Sequence, residues 1–185
     1  MLSITKYIIG KSFYFKAFIL SALLSLITFS DFYPIFTIGI DDSISWAYNY
    51  LFSKDISLLK NLIFPHGPLA FLLYPLPIGN NLIISFFVMG ALKVLLSINI
   101  FILYKDKSLS ILGPVIISYI LMSLLNIQLI IIGVVLTCAL NYLKTKKNYW
   151  PLIAIIFCSL ALYIKTFSGI VSLLLIISLA GYILI

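Results

Sequence analysis

Six apolar runs of 14 to 25 residues dominate the sequence, and the fifth is short for a membrane span. They cover residues 15–30, 80–104, 109–125, 129–143, 151–164 and 166–185. The chain is 63% hydrophobic and 9% charged, whereas a soluble domain is about 45–50% apolar and about 25% charged. Because a bilayer core needs about 20 apolar residues per helix, the pattern predicts an all-α, polytopic transmembrane helix bundle of about six spans. We expect residues 1–185 to form a single membrane domain in the lipid bilayer.

The lysines fall unequally on the two sides of such a bundle. Alternate connections carry eight lysines on one side and three on the other, and Lys93 lies inside the second run. Short loops rich in lysine stay in the cytoplasm. We therefore expect an integral protein of the inner (cytoplasmic) membrane, with a cytoplasmic amino terminus and an extracytoplasmic loop at 31–79. Since the lysines are scattered rather than clustered, no nucleic-acid partner is expected.

Several residues inside or beside the runs have simple interpretations. Lys93 indicates either a functional contact within its span or a side chain that reaches the interface. Cys138 and Cys158 lack metal-ligand spacing and are expected to be small buried hydrophobes. Tyr149 and Trp150 lie near a span end, as interfacial aromatic residues do.

The two ends of the sequence also carry information. The first run follows several lysines, but it is long and no small-residue cleavage motif closes it, so an uncleaved helix is expected rather than a signal peptide. The sequence stops within or just at the end of an apolar run. We interpret it as the amino-terminal part of a longer, truncated protein.

The predicted outward loop at 31–79 has a composition of its own. It contains four of the five aspartates and five of the seven prolines, and a connection this long in a compact protein is usually functional or disordered. Its richness in aromatic and aliphatic residues argues against disorder. Within "GIDDSISWAYNY" and the residues that follow, Ile44, Tyr48 and Leu51 recur at helical spacing, which predicts a short amphipathic helix at the membrane interface. Ser45, Asn49 and Ser53 are expected on its polar face.

Two adjacent acids, Asp41 and Asp42, begin this predicted helix. An acid or a serine at that position caps a helix and interacts favourably with its dipole. Capping needs only one acid, however, and a carboxylate beside the membrane is also placed to act as a general base on a lipid-borne substrate. The pair could also bind a divalent metal, although a DD pair alone is weak support for one. From spacing alone, the structural role as a helix cap and the functional roles as a base or a metal ligand all stay open.

His66 and Lys165 are the other candidate site residues. His66, the single histidine, lies in a stiff turn between prolines, where it is either a neutral hydrogen-bonded residue or a donor to a phosphate or a sugar hydroxyl. Lys165 lies at the outer end of the fifth run. It is either an interfacial lysine or a contact to a lipid phosphate.

Two stretches of the loop resemble a known group of bacterial polytopic membrane proteins. "GIDDSISWAYNYLF" is similar to their G-[LI]-D-x-S-…-A-x-N-Y pattern, and "IFPHGPLAFLLYPL" is similar to the F-x-[YH]-G-P-L-[AG]-F-L-x-x-P-L pattern that follows. "YIKTFSGIVSLLLII" resembles a later segment of the same proteins. This group looks like the GT-C class of glycosyltransferases, which use polyprenyl-phosphate-linked sugars.

The resemblance implies a function and roles for individual residues. The chain would transfer a sugar from a polyprenyl-phosphate carrier at the outer membrane face, with Asp41 as the catalytic base because it matches the aspartate of the pattern. Asp42, which stands where the group often has another residue, would assist in substrate binding together with His66 and Lys165. No cofactor is certain, and a divalent metal is possible.

Two alternatives to an enzyme remain. A non-catalytic polytopic protein, either transporter-like or an assembly subunit, would use Lys93 and the small residues Gly90, Gly113 and Gly133 for transport or helix packing. An inactive fragment of an enzyme is the other.

Overall fold

A computed structural model describes residues 2–29, 40–54, 67–105 and 111–184, with side chains over 13–29, 44–54, 67–105 and 111–182. This part of the chain forms seven α-helices and one 3-10 turn. They are α1 (Leu2–Ile27), α2 (Ile40–Ser53), the 3-10 turn (Ala70–Leu72), α3 (Asn81–Tyr104), α4 (Leu112–Leu124), α5 (Ile127–Thr145), α6 (Tyr149–Ile164) and α7 (Thr166–Leu184). Within the same ranges there is no strand, so the all-α prediction is confirmed.

The apolar runs predict most helix boundaries closely. The helices α3, α5, α6 and α7 match their runs within about two residues at each end. Two helices differ. α1 begins far before the predicted 15–30 and ends at Ile27, and α4 has only 13 residues because Leu125 turns to an extended conformation (φ −91°, ψ 132°).

Two of the described helices are long and apolar enough to cross a membrane by length and composition. They are α3, of 24 residues, and α5, of 19 residues. The apolar stretches Phe13–Ile27, Leu112–Leu124, Tyr149–Ile164 and Thr166–Tyr182 are shorter. The two longer helices indicate an association with the membrane.

The outer surface of the described helices carries many exposed large apolar side chains. Representative ones, each at least half exposed, are Phe15, Phe87, Ile116, Leu152 and Phe167. Apolar patches on soluble monomers are usually limited to a few hundred Å². A surface spread over several helices in this way is suited to contact with lipid.

The core of the bundle lies along α5, which packs against α3, α6 and α7. Its residues Ile130, Ile131, Val134 and Cys138 are fully buried. Cys138 and Cys158 are both buried free thiols, which confirms the expectation of small hydrophobes. The bundle is therefore held by side-chain packing along one central helix.

The α6–α7 hairpin depends on a glycine. A Cβ atom built on Gly169 would lie 2.2 Å from Leu162 Cδ2 and 2.7 Å from Leu162 Cα. The Cys158 thiol lies 3.7 Å from the Gly169 carbonyl oxygen. The two helices approach each other this closely because position 169 has no side chain.

One end of the bundle collects lysines, and we call it the lysine end (Tyr14, Lys105 and 144–150). Lys105 Nζ donates to the Tyr14 hydroxyl at 3.3 Å, and Lys144 Nζ donates to the last carbonyls of α3 at 2.9 and 3.2 Å. The Lys144 ammonium thus interacts with the carboxyl terminus of α3, where the helix dipole favours a cation.

Trp150 corrects the sequence-based interpretation of the aromatic pair. Its ring is 4% exposed, and Nε1 donates to Thr145 Oγ1 at 3.0 Å inside the α5–α6 connection. Tyr149, in contrast, is exposed as an interfacial residue should be. Trp150 is a packing residue because its indole nitrogen finds a partner within the fold.

Candidate functional site

The predicted amphipathic helix is present as α2, although its polar face differs from the prediction. Tyr48 lies on the apolar face, packs against Ala70 and is 3% exposed. This burial raises the pKa of the Tyr48 phenol above its ordinary value. Asn49, which was expected to face outward with Ser45 and Ser53, is completely buried. Its side chain therefore has a role inside the protein.

Asn49 joins α2 to the segment 67–80 through its side-chain amide. Nδ2 donates to the Tyr74 carbonyl at 2.9 Å, and Oδ1 accepts from the Leu76 N–H at 3.0 Å. Asn81 Nδ2 donates to the Asn49 carbonyl at 2.9 Å and to Asn49 Oδ1 at 3.1 Å. Because buried polar groups are costly when unpaired, these bonds fix α2 in one register on the segment. We call this set the Asn49 clamp.

Side-chain packing supports the same register. The Phe52 and Phe71 rings stack with centroids 4.0 Å apart. Near the end of α2, the Ser53 Cβ lies 3.5 Å from the position that a Cβ on Gly79 would occupy. α2 and segment 67–80 therefore form one packed unit, which we call the loop unit. It unites the described parts of the two loop stretches that carry the sequence resemblance, 40–52 and 67–76.

Removing the Asn49 clamp should destabilise the loop unit. Asn49→Ala leaves the Leu76 N–H and part of the Asn81 amide unpaired, and the expected loss is about 3 kcal/mol at about 1–3 kcal/mol per unsatisfied buried group. In a chain of this size that corresponds to roughly 6–12 °C in the unfolding midpoint. The midpoint is measured in detergent by maleimide labelling of the two buried thiols.

The matched control for this variant is Asn80→Ala. Asn80 is exposed, and its side chain makes no capping bond to α3. We expect its midpoint to stay within about 2 °C of the wild type. Equal midpoints for the Asn49 and Asn80 variants would contradict a clamping role.

The loop unit is seated on the break between α6 and α7. The Gly67 N–H donates to the Ile164 carbonyl at 3.2 Å, and the Leu69 N–H donates to the Tyr163 carbonyl at 3.0 Å. These carbonyls lie at a helix carboxyl end, where intrahelical partners are missing. A Cβ on Gly67 would lie 2.1 Å from the Tyr163 oxygen. Only glycine allows the two backbones to approach this closely.

Lys165 forms the break itself. Its backbone is extended (φ −153°, ψ 125°), and it separates α6 from α7. Its side chain is half-buried. Nearby, the Ser168 hydroxyl donates to Gln128 Oε1 at 3.2 Å and ties the start of α7 to the start of α5. Lys165 therefore lies at the end of the bundle that bears the loop unit, which we call the loop end.

The other predicted site residues are described less fully. Asp41 and Asp42 lie in the first turn of α2, which begins at Ile40. A capping residue precedes the first helical residue, and both acids follow Ile40 in the chain. The side chains of Asp41 and Asp42 lie outside the described part, as does His66, the residue before Gly67. The structure thus describes Lys165 fully and the two acids by backbone alone.

Lys93 also reaches the loop end. Its side chain is 2% exposed, and Nζ donates to the carbonyl and the hydroxyl of Thr28, just past the end of α1. Nζ also lies 5.5 Å from the centroid of the Phe29 ring. A cation is favoured at a helix carboxyl terminus, so one role of this buried lysine is to cap α1.

Sequence reasoning missed the buried amides and hydroxyls of this region. Asn49, Asn81 and Ser168 are buried and Gln128 is partly buried, and their hydrogen bonds bring elements together at the loop end. The signal that could have found them is an amide or a hydroxyl at the edge of an apolar run, because such a side chain needs a partner when it is buried. The sequence does not say which partner.

The possible metal site stays a prediction. Among the described residues there is no group of three histidine, cysteine, aspartate or glutamate side chains. The side chains of Asp41 and Asp42, through which a metal could bind, lie outside the described part.

Comparison with known proteins gives no match: neither a protein-family model, nor a curated protein, nor a solved structure is similar to this chain. The functional argument therefore depends on the residues and their geometry.

Proposed function

We propose that the chain is an inner-membrane protein of about six spans, with a cytoplasmic amino terminus and an extracytoplasmic loop at 31–79. The distribution of lysines supports this orientation. Lys105, Lys144, Lys146 and Lys147 belong to the lysine end, and an excess of lysine in short connections is typical of the cytoplasmic side. The loop unit would then face outward.

The proposed activity is that of a membrane glycosyltransferase resembling the GT-C class. The observation that carries the proposal is the loop unit. The described parts of the two resembling stretches contact each other through Asn49, and Gly67 docks the second of them beside Lys165. The acid-bearing first turn of α2 thereby belongs to one packed unit at the end of the bundle where a lipid-linked donor would present its phosphate.

The proposed chemistry assigns one step to each residue. Asp41 takes a proton from the acceptor hydroxyl, and the oxygen of that hydroxyl forms a bond to the anomeric carbon of the sugar. The bond between that carbon and the phosphate oxygen breaks, and the polyprenyl phosphate leaves with the electron pair. Lys165 and His66 interact with the phosphate, and Asp42 contacts the sugar. A phosphate leaves without a strong acid, so one carboxylate suffices, unlike in glycoside hydrolysis.

Sealed membranes that contain the protein test this activity. Polyprenyl-phosphate sugars labelled in the sugar are added to vesicles of both orientations. The expected result is transfer of label to an acceptor on the face that is extracytoplasmic in the cell. If no label moves in either orientation while the reconstituted protein transports a solute, the transporter-like alternative replaces this proposal.

A further inference from the structure

A cavity of about 290 Å³ lies at the loop end, between α3, the residues after the 3-10 turn and the α4–α5 connection. Its lining combines apolar side chains, such as Leu73, Met89 and Met122, with the polar residues Lys93 and Asn126. Ligand sites of about 300–1,000 Å³ typically combine an apolar wall with a few polar groups in this way. This cavity has the size for a compact polar head.

Lys93 is the charged residue in the lining of the cavity, and its side chain is 2% exposed. A lysine ammonium has three donors, and among the described residues Thr28 provides its two oxygen acceptors. A carbonyl and a hydroxyl are neutral groups and balance a buried full charge only partly, because removing an ion from water costs several kcal/mol. An anion in the cavity would complete the balance.

An apolar groove lies beside this cavity. It has a volume of about 340 Å³, runs between α1 and α3, and is lined by Leu26, Phe29, Phe87, Gly90 and Val94, among others. Neighbouring positions of α3 line the two spaces, with Met89 and Lys93 at the cavity and Gly90 and Val94 at the groove. The Phe29 ring, which lines the groove, lies 5.5 Å from the Lys93 ammonium. The cavity and the groove thus lie on neighbouring faces of α3.

We propose that Lys93 binds the phosphate of a polyprenyl-phosphate lipid, whose apolar chain lies in the groove between α1 and α3. The charge of Lys93 is complementary to a phosphate, and the groove suits an isoprenoid chain. The inference rests on the proposed function and adds to it a second phosphate contact, distinct from Lys165, together with a site for the chain.

Binding of labelled polyprenyl phosphate to the purified protein tests this inference without any transfer reaction. Lys93→Met should weaken binding at least tenfold, and Lys93→Arg should retain most of it because the charge remains. The matched control is Lys16→Met, which removes an exposed lysine of α1 and should leave the affinity unchanged. Unchanged affinity in Lys93→Met would overturn the proposal. The same result is expected if an aspartate of this chain already neutralises Lys93, so that outcome also counts against it.

A second variant tests the groove and does not depend on how Lys93→Met folds. A Cβ on Gly90 meets Ser25 Oγ at 3.9 Å and Phe29 Cε2 at 4.0 Å, which are ordinary contacts, so a larger side chain there would fill the groove. Gly90→Leu should abolish binding of the lipid, whereas Gly113→Leu, where nothing lies within 4 Å of the Cβ, should not. Wild-type affinity in Gly90→Leu would exclude the groove as the site of the chain.

Competition with unlabelled compounds shows whether the bound phosphate belongs to an isoprenoid lipid, another lipid or free phosphate. Unlabelled polyprenyl phosphate should displace the label, whereas inorganic phosphate and phosphatidylglycerol vesicles should displace it at least tenfold less well. Equal displacement by either competitor would overturn the assignment to an isoprenoid lipid. If Lys93→Met binds normally while transfer occurs in wild-type membranes, this inference fails and the proposed function stands. If the wild type binds no polyprenyl phosphate, both fail.

Discussion

Asp41→Asn is expected to lower the rate of sugar transfer by about 100- to 10,000-fold, the range that a positioned general base contributes. Asparagine has nearly the same shape as aspartate, but its amide cannot accept the proton of the acceptor hydroxyl. Asp41 lies in the first turn of α2, so the loss of one charge there should change the stability by less than about 1 kcal/mol. Initial rates are measured with labelled donor in membranes that contain equal amounts of protein.

Two further variants make the result for Asp41 specific. Asp42→Asn should reduce the rate less than Asp41→Asn, because Asp42 is proposed to contact the sugar rather than to accept the proton. Asp106→Asn, which changes the acid between α3 and α4 in the sequence and outside the proposed site, should have a wild-type rate. If Asp41→Asn transfers sugar within about twofold of the wild type, Asp41 is not the base.

Gly67→Ala should have the second-largest effect, because it unseats the loop unit from the bundle. The added methyl would lie 2.1 Å from the Tyr163 carbonyl oxygen, so the backbones must separate and the bonds to Ile164 and Tyr163 must lengthen or break. Overpacking costs about 1–3 kcal/mol and each lost hydrogen bond costs about 1 kcal/mol more. We therefore expect about 4 kcal/mol of destabilisation and the loss of sugar transfer.

The controls for Gly67→Ala are glycines at which an added Cβ atom would contact no other residue. Gly113 and Gly181 each have nothing within 4 Å of an added Cβ, and alanine is the better helix former at such positions by about 1 kcal/mol. Gly113→Ala and Gly181→Ala should therefore unfold at or slightly above the wild-type temperature. An unfolding midpoint for Gly67→Ala within this control range would show that the loop unit is not seated as described.

The sequence predicts the helices well because their cause is local. Each apolar run, of 14 to 25 residues, favours a helix in a low-dielectric surrounding, where the backbone must satisfy its own hydrogen bonds. The boundaries of α3 and α7 follow directly from the composition. The periodicity of Ile44, Tyr48 and Leu51 likewise predicts α2, because helical spacing places them on one face.

The arrangement of the loop could not be predicted in the same way, because its causes are contacts between distant parts of the chain. Asn49 appears polar and exposed when its neighbours alone are considered, but its partners lie 25 to 32 positions away at Tyr74, Leu76 and Asn81. Gly67 suggests a turn, but the reason for glycine is the Tyr163 carbonyl, far along the sequence. Trp150 was placed at the interface, whereas its ring lies in the buried core cluster and its indole nitrogen donates to Thr145.

The candidate site was predicted only in part. Sequence reasoning placed Lys165 at the outer end of the fifth run, and it does lie at the α6–α7 break. It treated Lys93 as either functional or interfacial, and the contact with Thr28 shows that the side chain reaches the end of α1. The roles of Asp41, Asp42 and His66 remain predictions, since their chemistry depends on side chains outside the described part.

Cross-linking within the loop unit tests the central claim most directly, namely that α2 is clamped to segment 67–80. The Cβ positions of residues 53 and 79 lie 3.5 Å apart, within the range of about 3.5–4.5 Å for a disulfide. Ser53→Cys combined with Gly79→Cys is prepared with Cys138 and Cys158 replaced by alanine, and membranes are oxidised mildly. Cysteine at Gly79, whose φ is +57°, costs about 1–2 kcal/mol, which the fold should tolerate.

The oxidised protein is digested with a protease, and the linked peptides are identified. When oxidation is carried out on the folded protein, without denaturant, we expect the peptides that contain residues 53 and 79 to be the main linked pair. Ser53→Cys paired with Gly113→Cys, which places the second thiol at the start of α4, should give no such link. A 53–79 pair that links no faster than the 53–113 pair would contradict the clamped loop unit, and with it the structural support for Asp41 as the base.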